Sequence, residues 1–273
     1  MPDVSDYQLF KSTEPPPSRS RIGLWAAVAL ILVAAMAALF YVYWHRRQAP
    51  APVAAHTETP ARPPRPLGGD ADAIALPPLN ESDPLVRELV KKISSNPRLA
   101  AWLATEDLIR DFTIGVANVA QGNSAARQLT VLRPSSNFRV IKRGNDIAID
   151  PKNYARYDTL AAAAASMDPA GSARLYATLK PRIEEAAREL GDSSFDRTLE
   201  RALVQLLSTP AVNDPILLQS KGIGFGFADP RLENLTAAQK HLLRTGPRNA
   251  ATIQGSLRAI ALALGIPETR LPH

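Results

Sequence analysis

The sequence predicts a mainly α-helical, multi-helix globular domain with one small β-hairpin, set behind a transmembrane helix and a proline-rich linker. Residues 22–44 carry no charge and no proline. Eight of the 24 prolines crowd between Gln48 and Asn80. Beyond Asn80, apolar residues recur at three- and four-residue spacing behind repeated Asp-Pro and Asn-Pro starts.

Residues 1–21 form a short leading tail with Lys11, Arg19 and Arg21. At about 1.5 Å per residue, the 22–44 run is a helix of about 35 Å, long enough to cross a hydrocarbon core of about 30 Å. Trp25 stands near one end, and Tyr41, Tyr43 and Trp44 at the other, where amphipathic rings favour the headgroup layer. A cleaved signal has a shorter apolar core and small residues after it; here Arg46 and Arg47 follow the aromatic residues. The short tail and long trailing segment suit an anchor with a cytoplasmic N-terminus and an exported C-terminal domain. Basic residues flank both ends and lean only slightly that way.

Residues 45–79 read as a disordered tether. Pro, Ala, Thr, Arg, Gly and Asp dominate it and offer too little apolar surface to offset the entropy of ordering. In polyproline-like extension, at about 3.1 Å per residue, it reaches at most about 100 Å. Residues 80–273 then form the domain. From Glu81 onward there are 25 Lys and Arg against 20 Asp and Glu, interspersed and without a basic run. A nucleic-acid footprint needs a concentrated patch, so that class of partner is set aside. Cysteine is absent, which removes disulfides and thiol chemistry.

Within the domain, Ser82-Asp83-Pro84 starts a helix with Leu85, Val86, Leu89, Val90 and Ile93 on one face. Asn96-Pro97 opens a second with Leu99, Trp102 and Leu103, and Thr105 with Glu106-Asp107 caps a third that runs to Gly122. Phe138 to Ile149, turning at Gly144-Asn145, is the hairpin, with Leu129 to Leu132 as a candidate third strand. Asp150-Pro151 and Asp168-Pro169 restart helix, and Pro181 should kink or divide the second of these. A helix follows Ser194. The last third holds one helix from Asp229-Pro230 to Gly246-Pro247, then a final one to Gly265.

Few residues offer chemistry. Of four histidines only His241 can sit in the fold, and no G-x-S-x-G elbow presents a serine, so a zinc site or a Ser-His-Asp arrangement has little to build on. Asp107 and Asp111 are explained by the positive end of a helix dipole. Gly222 to Gly226 lacks the Lys-Ser/Thr of a phosphate loop and is followed by Asp229, a carboxylate cap. The densest polar cluster is Glu233, Gln239, Lys240, Arg244 and Asn249, with Asp229 as structural cap. Lys240 and Arg244 lie four apart on one helical face. That set is the candidate recognition surface for an acidic partner; the bland alternative is a solvated helix face.

The segment from Phe225 to Asn249 carries a resemblance. Phe227-Ala228-Asp229-Pro230, Leu232-Glu233, Gln239-Lys240, Leu242-Leu243-Arg244 and Gly246-Pro247-Arg248-Asn249 resemble the closing signature of domain-of-unknown-function family 3014. Leu76-Pro77-Pro78-Leu79, Trp102-Leu103, Tyr157-Asp158 and Tyr176 also fit it. The resemblance implies proteobacterial, single-pass inner-membrane proteins and brings no activity, cofactor or catalytic residue with it. The expectation is a membrane-anchored interaction or scaffold module of the cell envelope, with a periplasmic domain and envelope proteins as partners. The alternatives are an envelope hydrolase working through carboxylates and a membrane-tethered assembly factor or chaperone.

Overall fold

Three of the described α-helices start on a short polar side chain followed by proline. The side chain accepts an orphan backbone N–H, and proline has none to lose. In the computed structural model, which describes residues 66–130, 134, 137–222 and 224–272, Asn96 accepts from Arg98 N, Asp168 from Gly171 N and Asp229 from Arg231 N. Contacts divide the chain into Met1–Arg62 and Pro63–His273, and all described residues fall in the second unit. The expected tail, the span at 22–44 and the tether up to residue 65 lie outside the described residues.

Nine α-helices are described: α1 Asp83–Ile93, α2 Pro97–Leu103, α3 Leu108–Ala120, α4 Asp158–Ala165, α5 Pro169–Glu189, α6 Phe195–Leu207, α7 Pro230–Glu233, α8 Ala237–Leu243 and α9 Pro247–Ala263. Among the described residues none is long and apolar enough to cross a membrane. The main core gathers side chains from α1, α3, α5, α6 and α9, including Val86, Ile109, Leu179, Ile183, Phe195, Leu203 and Ala261.

The expected hairpin is present as β1 Val140–Arg143 and β2 Asp146–Ile149, but it belongs to a larger sheet. β3 Leu217–Lys221 and β4 Gly224–Phe227 complete four antiparallel strands in the order β1-β2-β3-β4. The strand beside β2 is β3, with Ile147 opposite Leu218; of the 129–132 candidate, Leu129 sits in a turn and residues 131 and 132 lie outside the described residues. The reason is burial: Ile149, Ile216, Leu218, Phe227 and Leu243 form a second small core that a lone hairpin could not close.

Other boundaries move for local reasons. Asp150-Pro151 begins a 3-10 segment, Pro151–Tyr157, before α4 takes over. α5 runs unbroken through Pro181. The single helix expected from Asp229 to Gly246 is two, α7 and α8. Thr236 and Gln239 form a reciprocal capping box that starts α8 afresh. Thr105 does not cap α3; its hydroxyl donates to Trp102 O. The carboxylate of Asp83, on α1, accepts the Asp107 and Leu108 amides at 2.9 and 3.0 Å and so caps α3 from a neighbouring helix.

The end of the proline-rich stretch lies on the domain. Leu67 and Leu76 pack against the main core. The Gly68 amide donates to Leu264 O at 3.0 Å, and the Asp72 amide donates to Thr178 Oγ1 at 3.0 Å. Arg182 donates to Pro77 O and Leu76 O at 2.6 and 3.1 Å. Bonded residues therefore begin well before Asn80, because Leu67 and Leu76 interrupt the polar composition there and pack on the core, while Ile74 stays exposed.

Candidate functional site

The cluster singled out in the sequence is assembled by the junction of β3, β4, α7 and α8. Glu233, the last residue of α7, accepts from Lys221 Nζ at 2.6 Å and from the Phe227 amide at 3.0 Å; Lys240 Nζ on α8 lies 3.4 Å away. The side chains of Glu233 and Lys240 are only 16% and 19% exposed. A Cβ at Gly226 would come within 3.3 Å of the Glu233 carboxylate, so the glycine-rich strand leaves room for this ion pair. Arg244 places its guanidinium 5.5 Å from the Phe227 ring centre, a cation–π contact over the second core.

The other members point inward. Gln239 is buried; its Oε1 accepts from the Thr236 amide and its Nε2 donates to Gln205 O. Asn249 is buried as well, and its Nδ2 lies within bonding distance of Tyr154 O, Asp158 Oδ1 and Thr245 O. Asp229 bonds the Arg231 amide and guanidinium, as a helix cap does. The expected single recognition face is thereby corrected for Gln239 and Asn249, whose polar groups are consumed inside the fold. Lys240 and Arg244 do share a side of α8, but each already has a partner.

The Lys221 bond and the Phe227 amide, with the Lys240 charge behind them, lower the Glu233 carboxyl from 4.5 to about 2. A carboxyl lowered in the folded state adds stability above its unfolded value and loses it as pH falls through the folded one. Acid should therefore weaken the domain between about pH 4.5 and 2. In Glu233→Gln, urea midpoints measured across that window should fall less steeply than in the wild type. Equal slopes would show that this carboxyl is not held by the fold.

His241 is exposed and pairs its Nδ1 with Ser124 Oγ at 2.9 Å. Asp107 bonds Arg110 at 3.0 Å. Among the described residues no group of three or more His, Cys, Asp or Glu stands together as a metal site.

An apolar concave feature lies elsewhere, in the main core. A cavity of about 440 Å³ runs between α1, α2, α3, α5, α6 and α9. Val90, Trp102, Phe112, Val116, Leu179, Leu203, Leu257 and Ile260 are among its walls, and Leu129 is the one exposed residue of its lining. Small side chains open it: Gly115 on α3, Ala125 in the following turn, and Ala202 on α6. Ser172 and Tyr176 also line it, but Ser172 Oγ donates to Asp168 O and the Tyr176 hydroxyl to Asp196. Left unoccupied, its apolar wall stays in contact with water, which costs about 25 cal/mol per Å² of apolar surface. Water finds few partners on such a wall. An apolar occupant removes the penalty.

A family described as "Protein of unknown function (DUF3014)" matches residues 108–261, more than half of the chain. The chain belongs to this family. The matched stretch takes in α3 through most of α9, and so holds most of the cavity wall together with the Glu233 cluster. No curated protein matches the chain, and no solved structure does. The family's description carries no activity, so function has to be argued from the cavity.

Sequence reasoning passed over the cavity because each wall residue reads as ordinary core. The available signal was Gly115, set between Phe112 and Val116 in the middle of an apolar stripe where a large side chain would complete the packing.

Proposed function

We propose that this chain is a membrane-held binding module of the cell envelope whose helical domain takes an apolar chain into its core cavity. The observation that carries this is the cavity itself, about 440 Å³ and walled almost wholly by aliphatic and aromatic side chains. Its volume falls in the usual range of small-ligand sites, about 300–1,000 Å³. Nearly half of the wall residues are buried, as Leu108, Ile109, Leu203 and Leu264 are, and nearly all the others are partly buried. A flexible alkyl chain fits a space of this volume, and Leu129 is the exposed residue of its lining. The uncharged 22–44 run supports placement in the bacterial inner membrane, with the domain on the periplasmic side. An alkaline phosphatase fusion after His273 checks that placement: activity in cells supports it, and inactivity reverses it.

Organic extraction of the purified chain followed by mass spectrometry should release an apolar compound at about one per protein. The wild type should also enhance the fluorescence of an apolar probe such as 1-aminoanthracene. Ala202→Phe, which fills the cavity from α6, should lose both while remaining folded. A wild-type chain that is folded, carries nothing and binds no probe would overturn the reading.

A further inference from the structure

The four-stranded sheet has two edges, and the fold treats them differently. At β4 the Phe227 amide donates to Glu233 Oε2 at 3.0 Å and the Phe227 carbonyl accepts from Gln219 Nε2 at 3.2 Å, so side chains take up that edge. β1 has no such cover among the described residues. The Asp150 amide donates to Arg139 O, and the hydrogen-bonded pairs of this hairpin then recur at every second residue, 141 with 148 and 143 with 146. The N–H and C=O groups of Val140 and Lys142 therefore point away from β2, and no described group bonds them.

The side chains beside this edge are cationic and uncommitted. From Arg139 to Arg156 there are five basic residues, Arg139, Lys142, Arg143, Lys152 and Arg156, against two acidic ones, Asp146 and Asp150. Every ion pair among the described residues lies outside this stretch. Arg139, Lys142 and Arg143 are exposed. Arg156 is half-buried; its Nη1 lies 3.4 Å from Asn153 Oδ1, and its Nε is buried without a partner. Asn153 also bonds the Arg139 amide and carbonyl, at 2.8 and 2.6 Å, and so ties that guanidinium to the start of β1. A buried guanidinium N–H left unpaired is costly, and a carboxylate satisfies it best.

Open ladder groups flanked by one sign of charge select the occupant. A second copy of β1 would set Lys142 and Arg143 against cations, and like charges across a strand pair destabilise it. An extended segment rich in Asp or Glu meets both requirements, because its backbone completes the ladder and its carboxylates face the cations. We propose that the outer edge of β1 receives an acidic, extended segment of a partner protein as a fifth strand, held by Arg139, Lys142, Arg143 and Arg156. This edge is separate from the core cavity, whose wall includes none of these residues.

The test uses the full-length chain and fluorescein-labelled peptides. One alternates Glu and Val, one alternates Lys and Val, and a third repeats the first with every backbone nitrogen methylated. The Glu peptide should bind and slow hydrogen exchange at the Val140 and Lys142 amides, read by fragmentation mass spectrometry. The Lys peptide should not bind. The methylated peptide keeps the charge but has no N–H to give, and should bind weaker by about tenfold or more. Lys142→Gln with Arg143→Gln should weaken the Glu peptide by about tenfold. Affinity unchanged by methylation, or binding that leaves exchange in β1 unaltered, would overturn strand addition. Equal binding of the Lys peptide, or no binding of the Glu peptide to the folded wild type, would overturn the proposal as a whole. The peptide series is read on the wild type, so it decides the matter even where the double variant misfolds.

Discussion

Phe195→Ala is expected to be the most destabilising single change in the domain, at about 3–5 kcal/mol for the lost burial and the cavity left behind. Phe195 is the first residue of α6 and is 0% exposed. Its ring lies 5.8 Å from Phe112, tilted by 57°, and 6.4 Å from Tyr176, nearly stacked. Such aromatic pairs add about 0.5–1.5 kcal/mol beyond area alone. The same three rings join α3, α5 and α6 beside a core that already contains a void, so little remains to collapse into the gap. The melting temperature should fall by about 10 °C or more. Trp102, by contrast, is only partly buried and carries an unpaired N–H. Trp102→Ala should therefore cost clearly less. Matching urea midpoints for the two variants would show that the ranking is wrong.

Gly246→Ala should come second, through backbone strain joined to a steric clash. Gly246 precedes Pro247 with φ +92° and ψ 160°, a region open essentially to glycine. A Cβ there would stand 2.3–2.8 Å from the Tyr154 ring. That ring cannot swing away freely, because its hydroxyl donates to Asp214 at 2.7 Å. Strain of about 1–3 kcal/mol and overpacking of a similar size add to about 2–6 kcal/mol. Tyr154→Ala in the same chain removes the clash and leaves the strain. If Gly246→Ala loses no less stability in that background, the ring is not the obstacle.

The helices were legible because their starts are local chemistry. Asn96, Asp168 and Asp229 each accept a backbone N–H within a few residues, and the proline that follows marks the spot in the sequence. What depends on distant residues was not legible. Asp83 caps α3 across 25 positions. β3 finds β2 across some seventy residues, so its pairing leaves no short-range trace. The polar cluster around Lys240 was correctly placed on helices but misjudged as one surface. The buried amides of Gln239 and Asn249 have the same letters as exposed ones, and only their partners, Gln205 and Tyr154, tell them apart. Loops and crossings of that kind also made the cavity invisible, since a void is defined by residues from six helices at once.

A domain hollow at its centre is also soft. Hydrostatic pressure favours the unfolded chain in proportion to the internal space that unfolding eliminates, ordinarily about 20–100 mL/mol. With about 440 Å³ of space between α1, α2, α3, α5, α6 and α9, the empty domain has more volume to lose on unfolding than the occupied one. Occupancy would then change compressibility more than it changes shape. The helices would keep their places in both states, and the ligand would be felt at the surface as a stiffening of the frame.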